Sequence, residues 1–284
     1  MRPAFLVCLW LVAASAQDTT FRTDVSVVRV DVEVRDSSGK ILEGLKKEDF
    51  RILDQGQPVA ATNFAFEAEP LDLILLFDLS GPMRGKLLKL VRAVELGFHE
   101  LKAGDRVCVM AGPFSAFEIL PFTPDLDRVN QAILIDVLKQ KFGGQFILES
   151  AASAAAGRFR LEPKSTRRRA VLVVEDKSEG RPGAEGAAIL ALWQSDAALG
   201  ELVLGGGTPH GAISAQTGGS VVMAGAEPGP AFQEAVQGLR RRYTLYYSQP
   251  GGTPGTERKV AVTLSPNAGP GARVRARAGY VVPR

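Results

Sequence analysis

The sequence predicts an α/β protein with one doubly wound, mostly parallel sheet and a small β-sandwich formed by the two ends of the chain. Strand-like and helix-like segments alternate between residues 70 and 242, which is typical of a parallel sheet with helices on both faces. Two continuous apolar runs, 73–77 and 170–174, indicate central strands that are covered on both sides. At each end of the chain, apolar and polar residues instead alternate with the period of a half-buried strand.

The amino-acid composition excludes several classes of protein. The 284 residues are 45% apolar with a formal net charge of +3, which excludes wholesale disorder and a generally basic protein, so no nucleic-acid partner is expected. Two cysteines and two histidines exclude a disulfide-rich scaffold and a cysteine-based zinc site. Cys108 is predicted to be a buried small apolar residue, and neither His99 nor His210 is expected to act as a base.

Residues 1–16 have the pattern of a signal peptide. A basic start at Arg2 precedes an apolar run from Ala4 to Ala14, and small residues around Ala16 form a cleavage pattern. Cleavage there would leave 268 of the 284 residues, and a retained N-terminal anchor is the alternative. No later apolar run reaches eighteen residues, so no integral membrane segment is expected after removal of the signal. We therefore expect an exported protein, periplasmic or secreted.

The segments 17–69 and 243–284 are predicted to be β-structure. In the first, valines alternate with charged residues from Val28 to Arg35, a turn follows at 36–40, and short strands with one helical turn continue to Phe64. In the second, three short alternating runs are separated by turns rich in Gly and Pro. Neither end is long enough to form a core alone, so both are expected to build one sandwich beside the central domain.

Residues 70–242 are predicted to form that central domain. Apolar residues at spacings of three and four predict its amphipathic helices, and short apolar runs predict its strands. The predicted order is strand 73–77, helix 87–101, strands 106–111 and 115–120, helices 125–140 and 146–159, strand 170–174, helix 184–196, strand 201–204, a short helix near 209–217, strand 220–223 and helix 229–241.

Polar residues directly after the two apolar runs are candidates for a site. Ligands of a doubly wound sheet bind at the carboxyl ends of its strands. Asp78 and Ser80 follow the first run, and Asp176 follows the second. Carboxylate and hydroxyl oxygens suit Mg²⁺ or a similar hard cation. Asp and Ser at such positions also cap helices, so on the residues alone capping is an equal alternative.

A series of segments resembles the exported bacterial proteins related to von Willebrand factor A. The resemblance covers nearly the whole mature chain and rests on the order of the segments, since no single segment is specific. It implies a von Willebrand A-like domain within the predicted α/β fold. The segments are 30–39 with 44–50, 75–83, 143–144, 173–176, 217–220, and 243–247 through 274–280.

The resemblance implies a degenerate metal-ion-dependent adhesion site. The family's site uses D-x-S-x-S in the first loop, a Thr after a Gly-Gly loop, and an Asp after the fourth strand. Asp78, Ser80 and Asp176 match three of these ligands, whereas Pro82 replaces the second Ser and Gln145 replaces the Thr. A lysine directly after Asp176 adds a positive charge that opposes a cation. The resemblance therefore implies no cofactor, or a divalent cation such as Mg²⁺ held only weakly.

The predicted function is non-enzymatic recognition of a protein or cell-envelope surface, insensitive to EDTA. One alternative is a divalent-cation-dependent adhesion module through Asp78, Ser80 and Asp176. Another is a phosphatase-like hydrolase with Asp78 as nucleophile, which is disfavoured because Ser80 stands where such enzymes carry a second carboxylate. No catalytic residue is assigned, since no nucleophile-base arrangement is evident. The loops expected to make the contact are 111–115, 143–147 and 205–211.

Three arginine clusters are predicted to be structural, with a polyanion-binding surface as the alternative. Arg167–Arg169 precede a strand and are expected in a solvated loop. Arg240–Arg242 end a helix, where cations interact favourably with the helix dipole. Arg273, Arg275 and Arg277 are expected on the exposed face of a strand, where charge discourages edge pairing.

Overall fold

The computed structural model describes residues 26–91, 94–163, 166–177, 183–206 and 211–283. The predicted signal peptide and His210 lie outside these ranges. Within them, no helix combines the length and the apolar character that crossing a bilayer requires.

The described elements follow the predicted alternation closely. The N-terminal strands are β1 (Val27–Arg35), β2 (Phe50–Asp54), β3 (Gln57–Val59) and β4 (Asn63–Phe66). The central strands are β5 (Leu71–Asp78), β6 (Arg106–Gly112), β7 (Phe117–Thr123), β8 (Arg168–Glu175), β9 (Ala197–Val203) and β10 (Val221–Met223). The C-terminal strands are β11 (Tyr243–Ser248), β12 (Glu257–Leu264), β13 (Arg273–Ala276) and β14 (Gly279–Val281). The α-helices are α1 (Met83–Val91), α2 (Val94–Phe98), α3 (Leu126–Gln131), α4 (Leu148–Arg160), α5 (Glu185–Gln194), α6 (Ala212–Thr217) and α7 (Pro228–Arg240).

The six central strands form one sheet in the order β10-β9-β8-β5-β6-β7. All neighbours are parallel except β7, which runs antiparallel to β6 at the edge. Every residue of β5 is buried, as its continuous apolar run predicts for a strand covered on both faces. Successive side chains point to opposite faces, so Leu75 and Phe77 join one apolar layer and Ile74 and Leu76 join the other. The predicted α/β fold class is confirmed.

Strands from both ends of the chain pair in two four-stranded antiparallel sheets. One has the order β13-β1-β11-β4 and the other β14-β12-β2-β3. The sheets share one apolar cluster, which includes Val30 and Ile52 from the N-terminal segment and Leu245 and Val260 from the C-terminal segment. Neither segment could bury these residues alone, which is the physical reason for the predicted sandwich. The domain boundaries at 70 and 242 stay predictions.

Several element boundaries differ from the predicted ones. The helix predicted over 87–101 begins earlier, at Met83, and the structure describes it as α1 and α2 on either side of residues 92–93, which lie outside the described ranges. The stretch predicted as one helix over 125–140 passes from α3 into a π-helical segment, Ala132–Val137. The strand expected to restart at Ile41 is an isolated bridge to Arg35. β9 begins four residues before the predicted start, because its first residues already pair with β8.

The first arginine cluster does not lie in a solvated loop as expected, and the second lies at the end of α7 as predicted, with two of its members buried. Arg168, Arg240 and Arg242 are at most 3% exposed. Arg168 donates to the carbonyl of Leu239 at 2.5 Å, and Arg242 donates to that of Gly238 at 2.7 Å. The last carbonyls of a helix lack partners within the helix, so the buried guanidinium groups satisfy the end of α7. Burial lowers the pKa of Arg168 to about 10, which leaves it charged at neutral pH.

The third cluster contributes to the junction between sandwich and central domain. Arg273 is exposed as expected, whereas Arg277 is half-buried and ion-paired with Asp196, in the turn before β9. Arg29 of β1 reaches the same carboxylate at 2.5 Å. Two arginines of the sandwich therefore form ion pairs with one carboxylate of the central domain, and these ion pairs link the sandwich to the central domain.

Candidate functional site

Three loops meet at the carboxyl edge of the central sheet. The amide of Leu79, after β5, donates to the carbonyl of Gly112 at 3.4 Å. The amide of Gly143 donates to the carbonyl of Leu79 at 2.8 Å, and that of Ile147 donates to the carbonyl of Pro113 at 3.0 Å. The loops that follow β5 and β6 and the loop that precedes α4 are thus joined through their backbones and form one continuous surface.

Asp78 lies at the end of β5 and is 1% exposed. Its Oδ1 accepts a hydrogen bond from the Ser80 amide at 2.5 Å, and its Oδ2 accepts one from the Ser80 hydroxyl at 2.8 Å. The amide of Asp176 lies 3.4 Å from the same Oδ2. Burial raises the pKa of Asp78, although the hydrogen bonds from Ser80 act in the opposite direction. The structure therefore brings Asp78, Ser80 and Asp176 together, as the strand order predicts.

The carboxylate of Asp176 forms an ion pair with a lysine that the sequence analysis did not single out. Lys86, in the first turn of α1, places its Nζ on Asp176 Oδ1 in an ion pair. Gly205, whose amide donates to the Asp176 carbonyl at 2.8 Å, leaves space for this pair, since an added Cβ would collide with both partners. A signal was present, because a lysine without acidic neighbours in a first helical turn faces the unfavourable end of the helix dipole.

The two positions that depart from the family's ligand pattern lie in the loops around these residues. Pro82 is exposed, directly precedes α1 and offers no side-chain oxygen. Gln145 is exposed in the loop before α4. In the same loop, Gly144 lies against the ring of Phe114, where an added Cβ would come within 3.0 Å of the ring.

The oxygen atoms at this edge do not form the donor set that a divalent cation prefers. Both carboxylate oxygens of Asp78 accept hydrogen bonds from Ser80, and Asp176 already holds an ammonium group. A hard cation needs several oxygen ligands, and Pro82 contributes none. Over the described ranges, no three side chains of His, Cys, Asp or Glu are grouped as metal ligands. The residues present therefore do not fit the divalent cation that the resemblance implies.

Two fully buried glutamates lie directly behind this edge. Glu175 ends β8, and Glu201 lies on β9, where its Oε1 accepts a hydrogen bond from Ser214 Oγ at 2.6 Å. No donor reaches either carboxylate oxygen of Glu175. Burial, and then the negative charge of Glu201, raise the pKa of Glu175 well above its ordinary value. Glu175 therefore keeps its proton to a higher pH than an ordinary glutamate. Nothing in the sequence marks Glu201 as its neighbour.

The loops predicted to make contact differ in what they expose. Phe114, between β6 and β7, is 56% exposed, and Phe117 at the start of β7 is 46% exposed. Of the loop 205–211, the structure describes only 205–206 and 211. Exposed aromatic side chains on loops tied to a rigid sheet are the groups from which binding surfaces are built.

Comparison with known proteins identifies the fold. Neither a family model nor a curated protein matches the sequence. A solved structure, described as von Willebrand factor type A from Catenulispora acidiphila, is 14% identical, with 93% of this chain and 76% of that chain covered and a TM-score of 0.50. The chain has the von Willebrand A fold. An aerotolerance-related membrane protein from Bacteroides fragilis is 19% identical, with 60% of this chain and 98% of that chain covered and a TM-score of 0.48.

Within this von Willebrand A-type domain, Asp78 is poorly placed for nucleophilic catalysis. Its carboxylate is buried, and Ser80 donates to both oxygen atoms. A nucleophile must reach the reacting atom of a substrate and is commonly activated by a nearby base. His99 is exposed after α2 and has no described hydrogen bond to Asp78. At this edge the carboxylates of Asp78 and Asp176 are buried rather than exposed to a substrate.

Proposed function

We propose that this von Willebrand A-type domain is a non-enzymatic recognition module. It binds a protein or another cell-envelope surface ligand through the loops at the carboxyl edge of the central sheet. The observation that carries the proposal is the joined loop surface, whose loops are linked by three backbone hydrogen bonds and which exposes Phe114. An aromatic ring on a rigid loop loses little conformational freedom on binding, so it contributes efficiently to affinity.

The recognition is proposed to require no divalent cation. The ammonium group of Lys86 lies on Asp176, where it supplies the positive charge that a bound cation would supply. A cation at this position would have to displace that ammonium group from Asp176, whose side chain is 12% exposed. EDTA should therefore leave binding unchanged.

Cation-dependent adhesion through Asp78, Ser80 and Asp176 is the second candidate. The observation that favours it is the approach of the Asp176 amide to Asp78 Oδ2 at 3.4 Å, which brings the two carboxylate-bearing loops together. The presence or absence of an effect of Mg²⁺ on binding separates this candidate from the first.

We further propose that the mature protein is exported and acts in the periplasm or outside the cell. The pattern of residues 1–16 supports this proposal. N-terminal sequencing of the protein recovered from the producing cell tests it. A mature chain that begins at Gln17 is expected, and a chain that keeps Met1 in the cytoplasm would contradict it.

The function is tested by immobilising the mature chain and passing a solubilised envelope fraction of the producing cell over it, in EDTA or in Mg²⁺. The variant is Phe114→Ser, and the matched control is Leu161→Ser, which alters a 78% exposed apolar residue after the C-terminal end of α4. We expect the same proteins to be retained in both buffers, and to be lost only with Phe114→Ser.

Two results would contradict the proposal. Retention that is unaffected by Phe114→Ser would show that the loop surface is not the binding surface. Retention that disappears in EDTA and returns with Mg²⁺ would favour the cation-dependent candidate instead.

A further inference from the structure

Lys86 and Lys89 lie on the same face of α1, one helical turn apart, beside the carboxyl edge of the sheet. Together they line a cavity of about 180 Å³. The remaining walls come from residues after β9 and β10 and from the start of α7: Leu204, Ala224, Gly225, Ala226 and Pro228. The cavity is continuous with the candidate site, because Lys86 also contacts Asp176.

The charges around this cavity do not cancel. Asp176 pairs with Lys86, whose side chain is still 34% exposed. No described residue forms an ion pair with Lys89, which is exposed. Among the described residues that line it none is acidic, and Glu227, which adjoins two of them in sequence, is exposed and is not part of this described lining. The cavity therefore has an excess positive charge and attracts an anion.

The size and the walls of the cavity restrict what the anion can be. A volume of about 180 Å³ is below the range of about 300 to 1,000 Å³ that is usual for small-molecule sites. The walls formed by Leu204, Ala224 and Pro228 are apolar and suit the methylene groups of a side chain. One carboxylate-bearing side chain, with its methylenes on these walls and its charge at the lysines, matches both the size and the chemistry.

We propose that Lys86 and Lys89 form a metal-free carboxylate site that takes a glutamate or aspartate side chain from a partner protein. This inference rests on the proposed recognition function and names the chemistry of the partner. Lys86, held in place by Asp176, presents its remaining N–H groups to the carboxylate. Lys89, one helical turn further along the same face of α1, supplies the second charge, and the contact requires no divalent cation.

The test is an NMR titration of the ¹⁵N-labelled mature chain in EDTA. The probes are the blocked tripeptide acetyl-Ala-Glu-Ala-amide and its neutral counterpart, acetyl-Ala-Gln-Ala-amide. The variant Lys89→Gln removes a charge that has no described partner, so its fold is expected to persist. Lys47→Gln, in the sandwich, is the matched control. Lys86→Gln is measured as a second variant.

The glutamate peptide is expected to shift the amide resonances of Leu204 and Ala224 saturably, and the glutamine peptide is not. Lys89→Gln should weaken binding of the glutamate peptide at least tenfold, and Lys47→Gln should leave its affinity unchanged. Added salt should weaken binding because it screens the charges. Equal responses to the two peptides, no saturable response, or unchanged affinity in Lys89→Gln would overturn the proposal. Phe114→Ser should leave the peptide titration unchanged, so failure of the carboxylate site and failure of the loop surface are distinguishable.

Discussion

The buried carboxyl group of Glu175 makes the stability of the protein fall as the pH rises. Glu175 is fully buried, no donor reaches its oxygen atoms, and Glu201 lies beside it. Burial and the charge of Glu201 raise its pKa well above 4.5, the value expected in an unfolded chain. Below about pH 4.5 the group carries its proton in both states, so it contributes no pH dependence there.

Above this pH the unfolded chain releases the proton while the folded chain keeps it. The free energy of unfolding then decreases by about 1.4 kcal/mol for each pH unit, until the pH passes the raised pKa of the folded state. Glu175→Gln keeps the shape of the neutral acid and cannot ionise, so it removes this decrease in the free energy of unfolding.

The measurement is urea unfolding at pH 5, 6 and 7, followed by circular dichroism, for the mature chain and Glu175→Gln. The stability of the variant relative to the wild type should rise with pH, by at most about 1.4 kcal/mol per pH unit. Glu227→Gln, at an exposed position, is the control and should show no such trend. A stability difference between wild type and Glu175→Gln that is the same at all three pH values would refute the reasoning.

Three further predictions follow from other buried groups. Asp54→Asn should destabilise the protein by about 3 kcal/mol in urea unfolding, because Asp54 accepts hydrogen bonds at 2.8 Å from the hydroxyls of Tyr247 and Tyr280; a loss below 1 kcal/mol would contradict this. Arg242→Met should cost at least about 3 kcal/mol, since it strips the carbonyls at the end of α7 of a buried donor, and an unchanged urea midpoint would argue against that role. Cys108 should react with a thiol reagent only after unfolding, because burial raises its pKa to about 12, and rapid labelling of the native protein would disprove it.

The central sheet was predictable because its strands are buried on both faces. The middle of β5 is a continuous apolar run from Leu73 to Phe77, flanked by Asp72 and Asp78, and this run identifies the strand without reference to any other part of the chain. The sandwich was predictable by a different argument. The strands at both ends of the chain have one apolar face, which must be buried against another apolar face. The two ends supply these faces to each other, and their apolar residues form one cluster.

The burial of the arginines could not be predicted from composition. Charged residues are mostly exposed, so a run such as Arg240–Arg242 favours solvent by default. What reverses this is the position of unpaired carbonyls at the end of α7, which depends on how the helix meets β11 and the sandwich. The same dependence on tertiary contacts hid the junction in which Arg29 and Arg277 share Asp196.

The candidate site shows a similar division. Asp78, Ser80 and Asp176 follow buried strands, and parallel strands release their carboxyl ends at one edge, so their proximity follows from the sequence alone. Lys86 is separated from Asp176 by 90 residues, and only the packing of α1 against the loops after β8 and β9 brings the two together. Sequence reasoning therefore recognised that Pro82 and Gln145 depart from the family's ligand pattern. It could not identify Lys86 as the side chain that forms an ion pair with Asp176.

If recognition needs no metal, as proposed, the ion pair between Lys86 and Asp176 changes what can regulate the surface. A bound cation exchanges with solution, so its concentration and any chelator control the charge at the site. The ammonium group of Lys86 is part of the chain and ion-paired with Asp176, so its charge is present whenever the protein is folded. Ionic strength screens exposed charges that are separated by more than about 8 Å at physiological salt, so added salt weakens its long-range attraction for a carboxylate. The domain is thus expected to bind constitutively in media poor in divalent cations and to respond to salt, the opposite of the behaviour of a cation-dependent adhesion module.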